Sequence, residues 1–304
     1  MNPRKATLIG LIAILLWSTI VGLIRGVSQG LGPVGGAAAI YTLSALLLLL
    51  TVGLPGLKTF PRGYLLLGSL LFVSYEICLS LSLGYANSSS QAIEVGMVNY
   101  LWPAMTVLLS VAVARQKCNL LIVPGIALSL CGICRVLAGD SPLSLAEISH
   151  NVASNPLSYG LALSGALIWA LYCVVTQKMA NGSNGITLFF LLTALALWVK
   201  YFSAPQPEML INWRVFACLV MAAMAMGLGY AAWNIGILYG NVTLLATASY
   251  FIPLISALLA ALLLNAPLSF TFWQGAGMVS GGSLICWWST RQSVKHAARQ
   301  NTNG

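Results

Sequence analysis

The feature that most constrains this chain is a series of ten apolar stretches, each close to 20 residues long. A helix needs about 20 apolar residues to cross the hydrocarbon core of a bilayer. The stretches show no alternation of polar and apolar residues, and unpaired backbone amides are costly in lipid, so helices rather than a barrel are predicted. The predicted spans are residues 7–26, 34–53, 64–84, 91–114, 120–138, 157–179, 186–203, 214–237, 242–264 and 270–290.

Composition supports an all-α integral membrane protein and excludes several functions. Only 6% of the residues are charged and the mean hydropathy is +0.90, whereas about a quarter of a soluble domain is charged. Five acidic residues and two histidines leave little material for catalytic dyads or metal clusters. No enzyme activity, cofactor or metal is therefore expected. The expected partners are a small-molecule substrate and the lipid bilayer, not nucleic acid, and the oligomeric state is open, a monomer being compatible with the sequence.

The basic residues orient the predicted spans. By the positive-inside rule, the side with more Lys and Arg is cytoplasmic. One side carries Arg4, Lys5, Lys58, Arg62, Arg115, Lys117, Lys178, Arg291, Lys295 and Arg299, and the other only Arg25, Arg135, Lys200 and Arg214. Both termini are therefore predicted in the cytoplasm. The first span follows Arg4 and Lys5 as a signal peptide would, but it is too long and lacks a small-residue cleavage site, so it is predicted to stay uncleaved.

An internal repeat divides the chain into two units. The sequence from Asn99 to Pro103, Asn-Tyr-Leu-Trp-Pro, corresponds to Ser-Tyr-Phe-Ile-Pro from Ser249 to Pro253. The glycines that follow keep the same register in both copies, as Gly125 and Gly132 and as Gly275 and Gly282. Five helices in each copy predict two inverted repeats around a central cavity, a common transporter design. The predicted boundaries are 1–139 for the first repeat, 140–156 for an external loop, 157–290 for the second repeat and 291–304 for a basic cytoplasmic tail.

These features carry a family resemblance over about residues 7 to 290. The paired units, the early Trp17-Ser18 and the aromatic-x-x-Pro sequences ending at Pro103 and Pro253 resemble the drug/metabolite transporter superfamily with its paired EamA units. Within it, the Asn-Tyr-Leu-Trp-Pro sequence that ends at Pro103 and the aromatic content of the helices are most similar to those of YddG-type exporters of aromatic amino acids. The resemblance implies a bacterial inner membrane protein whose fifth and tenth spans are peripheral.

The two prolines indicate where a substrate would bind. Pro103 and Pro253 lie inside spans four and nine, and each removes the hydrogen bond to the carbonyl of Asn99 or Ser249. Broken helices are tolerated in a membrane where they line a protein cavity, and their free carbonyls can bind an ammonium group. The alternative is that each proline only kinks a packed helix.

Helical periodicity and depth then select the candidate substrate-binding residues. They are the polar and aromatic side chains expected on inward faces: Trp17, Tyr75, Glu76, Asn99, Tyr100, Trp102, Trp169, Tyr172, Trp233, Asn234, Ser249 and Tyr250. For each aromatic residue, ordinary packing against other helices or lipid is the competing interpretation. Tryptophans and tyrosines at span ends, such as Trp198 and Trp287, are predicted to be interfacial anchors.

Ionisable groups inside the spans are functional candidates because they are expensive in hydrocarbon. Two roles compete for Glu76 and Glu94: carrying a proton coupled to transport, or binding a substrate ammonium. Glu76 is the deeper of the two carboxylates and the stronger candidate. Glu94 lies near the outer face, where it can reach water. Arg25 and Arg135 are predicted to snorkel to the outer surface, and attraction of a carboxylate is the alternative.

Three motif matches and the cysteines carry no functional prediction. Gly26–Gly30 matches G-x-S-x-G, Cys131–Cys134 matches C-x-x-C and Gly227–Ala232 matches a dinucleotide fingerprint. None has the strand context that its chemistry requires. The seven cysteines lie mostly in apolar stretches, so no disulfide framework is predicted.

The sequence thus predicts a secondary transporter that exports amino acids, aromatic and other apolar ones, by alternating access. The alternative is a proton-coupled exporter of lipophilic cations or other small metabolites, in which Glu76 and cation–π contacts would bind the substrate. A membrane-embedded enzyme lacks a convergent nucleophile and base, and a channel would need a continuous polar pore.

Overall fold

The structure is a computed structural model that describes residues 2–302 apart from residues 57, 59, 114–117 and 142. The predicted inner basic residues Arg115 and Lys117 therefore lie outside the described residues. Every regular element in the described part is a helix. The helices are α1 Pro3–Ser18, α2 Ile20–Leu31, α3 Pro33–Thr51, α4 Arg62–Gly84, α5 Ser89–Asn99, α6 Trp102–Ala112, α7 Ile122–Ala138, α8 Leu145–Ser154, α9 Pro156–Met179, α10 Ile186–Ser203, α11 Trp213–Tyr239, α12 Val242–Ser249, α13 Ile252–Leu264 and α14 Phe270–Thr302.

Each of the ten predicted stretches contains helix, but in the described part of the chain fewer helices qualify as complete spans. Six are long and apolar enough to cross a membrane, and a seventh span results if α1 and α2, which meet at an angle of 41°, count as one. The helices α7 and α13 are apolar but shorter than a full span. In the residues that it describes, the structure thus establishes an all-helical fold with six or seven apolar spans.

Two segments differ from the sequence prediction. The region 140–156, expected as a loop, contains the ten-residue helix α8. Ser144 begins this helix because its hydroxyl accepts a hydrogen bond from the amide of Glu147 at 3.1 Å, the usual role of an N-cap serine. The polar sequence after residue 290, expected as a separate tail, continues α14 to Thr302. Hydropathy predicts that both segments lie outside the bilayer, and it does not report their backbone conformation.

Local sequence explains where several helices begin. Asparagine side chains cap the starts of α9, α11 and α12, where Asn155, Asn212 and Asn241 each accept a backbone hydrogen bond from the first turn. Proline occupies the first turn of α1, α3 and α9, where its missing amide donor costs nothing. The polar residues between apolar stretches therefore determine the helix starts.

The helices pack in pairs that join the two halves of the chain. Helix α4 packs mainly on α9, α1 on α11, and α3 on α10. The most extensive pair is α7 with α14. Its helices touch at glycines, because a Cβ added to Gly132 would lie 2.7 Å from the carbonyl oxygen of Gly275. The aromatic residues that are described next lie in the core between α4, α9, α10 and α11.

Candidate functional site

A buried carboxylate lies where three helices meet. Glu76 on α4 is 1% exposed. Its Oε2 accepts a hydrogen bond from the Tyr41 hydroxyl of α3 at 2.6 Å, and its Oε1 accepts one from the Tyr230 hydroxyl of α11 at 3.1 Å. Ser80, one turn after Glu76, donates to the Tyr41 oxygen at 3.0 Å. The carboxylate therefore has two phenolic donors and contacts no basic group in the described part of the chain.

Trp169 on α9 is the centre of a large aromatic cluster. Its ring lies 4.4 Å from the ring of Tyr75, 5.0 Å from Tyr172 and 6.2 Å from Trp102, measured between centroids. Phe72 lies 6.1 Å from Trp169 and continues the cluster. These separations are typical of favourable aromatic pairs. Four helices, α4, α6, α9 and the adjacent α10, contribute to this packing.

A second aromatic group joins the first through Phe72. The Tyr230 ring lies 5.9 Å from Phe72 and 5.1 Å from Trp17 on α1, and Trp17 lies 5.2 Å from Trp233. Tyr230 also binds Glu76, as described above. The aromatic cluster is thus continuous from Trp17 and Trp233 to Trp169 and Trp102, and the carboxylate contacts it at Tyr230.

Two buried polar atoms within this region have no hydrogen-bond partner. They are the indole Nε1 of Trp17, a donor, and the side-chain Oδ1 of Asn99, an acceptor. Asn99 is 3% exposed and lies against Gly165 of α9, whose added Cβ would be 3.2 Å from Oδ1. Buried polar groups are nearly always paired, so one unpaired donor and one unpaired acceptor in this region are candidates for contact with a ligand.

The helix breaks occur at the predicted positions. Helix α5 ends at Asn99 and α6 begins at Trp102, while α12 ends at Ser249 and α13 begins at Ile252. Pro103 and Pro253 each lie in the first turn of the helix that follows the break. Neither proline can donate to the carbonyl four residues earlier. The backbone therefore interrupts both spans next to candidate binding residues.

Four of the predicted site residues do not belong to the aromatic cluster. The Tyr250 ring pairs with Trp287 of α14 at 6.2 Å, although Trp287 was expected as an interfacial anchor. The Ser249 hydroxyl donates to the carbonyl of Ala246 within its own helix at 2.8 Å. Asn234 is half-buried next to Trp233, and Tyr100 is a half-buried neighbour of the core. Fewer residues of the aromatic cluster therefore lie next to the break between α12 and α13 than next to the break between α5 and α6.

Sequence reasoning missed Tyr41, Phe72 and Phe190. Phe72 lies near the centre of the cluster, and Phe190 lies 5.5 Å from both Tyr41 and Tyr230. Phenylalanine in a membrane helix gives no sign of which face it occupies. Tyr41 did offer a signal, because a phenol inside an apolar span requires a hydrogen-bond partner.

Glu94, the second carboxylate, belongs to a separate polar network near α8. Its Oε2 accepts hydrogen bonds from the Tyr159 hydroxyl at 2.8 Å and from the Asn151 amide at 3.1 Å. Asn151 also donates to the carbonyl of Leu137 at 2.9 Å. Glu94 thereby attaches α8 to α5, α7 and α9. Among the described residues there is no group of three His, Cys, Asp or Glu side chains that could hold a metal ion.

The comparison with known proteins identifies the family. The EamA-like transporter family model matches residues 156–288, and the second repeat is predicted over residues 157–290. The aromatic amino acid exporter YddG of Escherichia coli K12 is 64% identical over 292 residues, which are 96% of this chain and 100% of that protein. The chain belongs to the EamA-like transporter family. The resemblance inferred from the sequence is therefore confirmed.

Other relatives extend this result. YddG of Salmonella typhimurium 14028s is 63% identical over 96% of this chain and 100% of its own length. YddG of Ancylobacter novellus is 28% identical over 94% of this chain and 98% of its own length. A solved crystal structure superimposes with a TM-score of 0.66 and 23% identity, covering 96% of this chain and 99% of the other. At that identity the structural match supports the fold alone.

Proposed function

We propose that this chain exports aromatic amino acids across the bacterial inner membrane by alternating access. The observation that carries the proposal is the 64% identity, over the full length of that protein, to an exporter named for these substrates. The continuous aromatic cluster from Trp17 to Trp102 supports it, because aromatic rings offer stacking partners and apolar area to an aromatic side chain. The substrate would bind next to the break between α5 and α6.

The unpaired polar atoms suit the two charged ends of an amino acid. The Trp17 Nε1 is a donor for a carboxylate, and Asn99 Oδ1 is an acceptor for an ammonium group. In this proposal the carbonyls freed by Pro103 and Pro253 are further acceptors, and alternating access opens a central cavity around them. Both oxygens of Glu76 already bind phenols. This arrangement favours proton carrying or helix positioning by Glu76 over direct ammonium binding.

The proposed transport unit has ten spans in two inverted repeats. The pairing of the helices supports this topology, because exchanging the two halves of the chain converts the α4–α9 pair into the α11–α1 pair. The same exchange leaves the α3–α10 and α7–α14 pairs unchanged. The excess of Lys and Arg on one side supports cytoplasmic termini. In this arrangement α7 and α14 form a peripheral pair.

Counterflow in proteoliposomes tests the substrate. We expect vesicles loaded with unlabelled phenylalanine, tyrosine or tryptophan to accumulate the labelled amino acid, with flux that saturates as the external concentration rises. Alanine, lysine and a lipophilic cationic dye serve as comparison substrates. Flux of the dye in preference to aromatic amino acids would support the cation exporter instead. Flux that stays linear in concentration would indicate a channel.

A further inference from the structure

The two sides of the molecule are not packed equally, although the proposed repeats should make them equivalent. On the predicted outer side, the second half of span one, α2, packs against α4 and α5. The equivalent inner contacts would join the second half of α9 to the end of α11 and to α12. No packing of comparable extent joins α9 to α11 or α12 in the described part of the chain.

The half-helices before the two breaks also differ in burial. Helix α5, on the predicted outer side, is more buried than α12, on the predicted inner side. Eight residues of α5 are buried, including Val95, Gly96 and Val98. In the equivalent helix α12, Leu245 is the one described side chain that is buried, and Leu244 is 47% exposed. The described side chains of α12 are therefore less buried than those of α5, which is the asymmetry expected when one side of an inverted-repeat transporter is closed and the other is open.

Three close contacts join α2, α3, α4 and α5 on the predicted outer side, and we refer to them together as the outer closure. A Cβ added to Gly96 would lie 3.0 Å from a methyl group of Val21, and one added to Gly84 would lie 2.9 Å from Pro33. The third contact is polar: the Arg25 Nη1 donates to the carbonyl oxygen of Gly84 at 3.1 Å. That carbonyl is at the C-terminal end of α4, where the helix dipole favours a cation.

We propose that Arg25 is an outer gating residue, whose bond to the Gly84 carbonyl holds spans one and three together while the inner side is open. The inference rests on the proposed topology and goes beyond the proposed substrate. The Nε of Arg25 is buried without a partner, so the closed state does not satisfy the guanidinium completely. The bond therefore stabilises the closed state only moderately, so that the outer side can still open, as a transport cycle requires.

The inverted repeat also predicts which residues form the closure on the inner side when the outer side is open. Trp17 corresponds to Trp169 in the repeat, so Arg25 corresponds to Gln177 on the inner half of α9. Gly84 corresponds to position 238, at the inner end of α11, since Tyr85 corresponds to Tyr239. When the outer side opens, the side chain at 177 should approach this helix end. Glutamine there carries no charge, which makes the inner closure weaker than the outer one.

Cysteine labelling on the two sides tests the gate. In a background without the seven native cysteines, Val98→Cys reports opening to the outside and Ala248→Cys, at the equivalent repeat position, reports opening to the inside. With Arg25 intact, we expect an impermeant maleimide to label Val98→Cys slowly in intact cells and Ala248→Cys quickly in inverted vesicles. Arg25→Ala should raise the first rate about tenfold, as loss of a charged hydrogen bond implies, and lower the second.

Two further variants separate gating from general damage. Arg25→Lys keeps a cation near Gly84 and should restore most of the slow labelling. Arg135→Ala is the matched control, because in the described part of the chain the Arg135 guanidinium bonds to Gly139, Ser141 and Thr271, outside the closure. Unchanged Val98→Cys labelling in Arg25→Ala, or an equal rise in Arg135→Ala, would overturn the proposal. If Arg25→Ala does not reach the membrane, Arg25→Gln replaces it, with the same expected directions.

The labelling needs no substrate, so it is independent of the proposed function. If the protein does not exchange aromatic amino acids in counterflow but Arg25→Ala changes the labelling on both sides as expected, the gating proposal is supported and the proposed substrate is wrong. If the protein exchanges aromatic amino acids normally but Arg25→Ala does not change the labelling, the proposed substrate is supported and the gating proposal is wrong.

Discussion

A carboxylate inside a membrane protein must obtain hydrogen bonds from its neighbours, and Glu76 obtains them from Tyr41 and Tyr230. These phenols belong to different halves of the chain. Tyr230 in turn contacts Trp17 within the aromatic cluster. Glu76 is therefore connected through Tyr230 to the rings of the proposed binding region. Glu94 has partners of similar type, but they attach α8 rather than the cluster.

This difference predicts that Glu76→Gln impairs export more than Glu94→Gln. The amide keeps the shape of Glu76 but presents a donor group to one of two phenolic donors. Loss of one such bond to a charged group is worth about 1.5–3 kcal/mol, so we expect export to fall about tenfold. The measurement is the initial rate of phenylalanine export at several pH values.

The same experiment has two contrary results. Normal export by Glu76→Gln at all pH values, with impaired export by Glu94→Gln, would mean that the wrong carboxylate was chosen. If neither substitution matters, transport does not depend on protonation of a carboxylate within a span. Facilitated diffusion down the amino acid gradient would then be the better mechanism.

The position of Trp169 predicts a defect in substrate binding. Each aromatic contact of Trp169 contributes about 0.5–1.5 kcal/mol beyond apolar burial. We expect Trp169→Ala to raise the KM for aromatic amino acids about tenfold, and Trp169→Phe to recover part of the loss. Trp288→Ala removes an exposed tryptophan and is the control. An equal effect of Trp288→Ala on KM would show that Trp169 has no special role.

At the level of helices, α7 and α14 depend on glycine because their backbones nearly touch. Gly125 packs against Gly282, and Gly132 against Gly275. The four glycines are the ones that keep a common register in the sequence repeat. Close approach of two backbones permits extensive packing between membrane helices, and it explains why side chains are absent at these positions.

We predict that Gly132→Ala destabilises the protein. The new methyl would lie 2.7 Å from the Gly275 carbonyl oxygen and 2.8 Å from the Val279 nitrogen, and overpacking of this kind costs about 1–3 kcal/mol. Gly277→Ala, with nothing within 4 Å of the added Cβ, is the matched control. The apparent Tm in detergent should fall for Gly132→Ala alone. Equal Tm values for the two variants would contradict tight α7–α14 packing.

At the level of the whole molecule, the proposed topology puts α8 on the outer side of the membrane and both termini in the cytoplasm. Leu145, the first residue of α8, is exposed, as is Leu54 between α3 and α4 on the predicted inner side. A cysteine at Leu145 is a better labelling site than one at Ser144, because replacing Ser144 would remove the hydroxyl that caps α8. The two leucines thus provide reporters on opposite sides of the membrane.

In the cysteine-free background, an impermeant maleimide should label Leu145→Cys in intact cells and Leu54→Cys only after lysis. The expected result follows from the charge asymmetry of the connecting segments. Retained export by the background protein is the control. Labelling of Leu54→Cys in intact cells, with protection of Leu145→Cys, would reverse the orientation.

The sequence by itself determined the class of protein, its helical segments, the break positions and the family. These properties depend on apolar length, on proline and on the repeat register, which are local in the chain. The tertiary structure alone decided which side chains meet. Glu76 binds phenols 35 and 154 residues away, and Tyr250 pairs with Trp287 rather than with the central cluster. Helical periodicity gives the face of a residue, but its partner depends on how the helices pack.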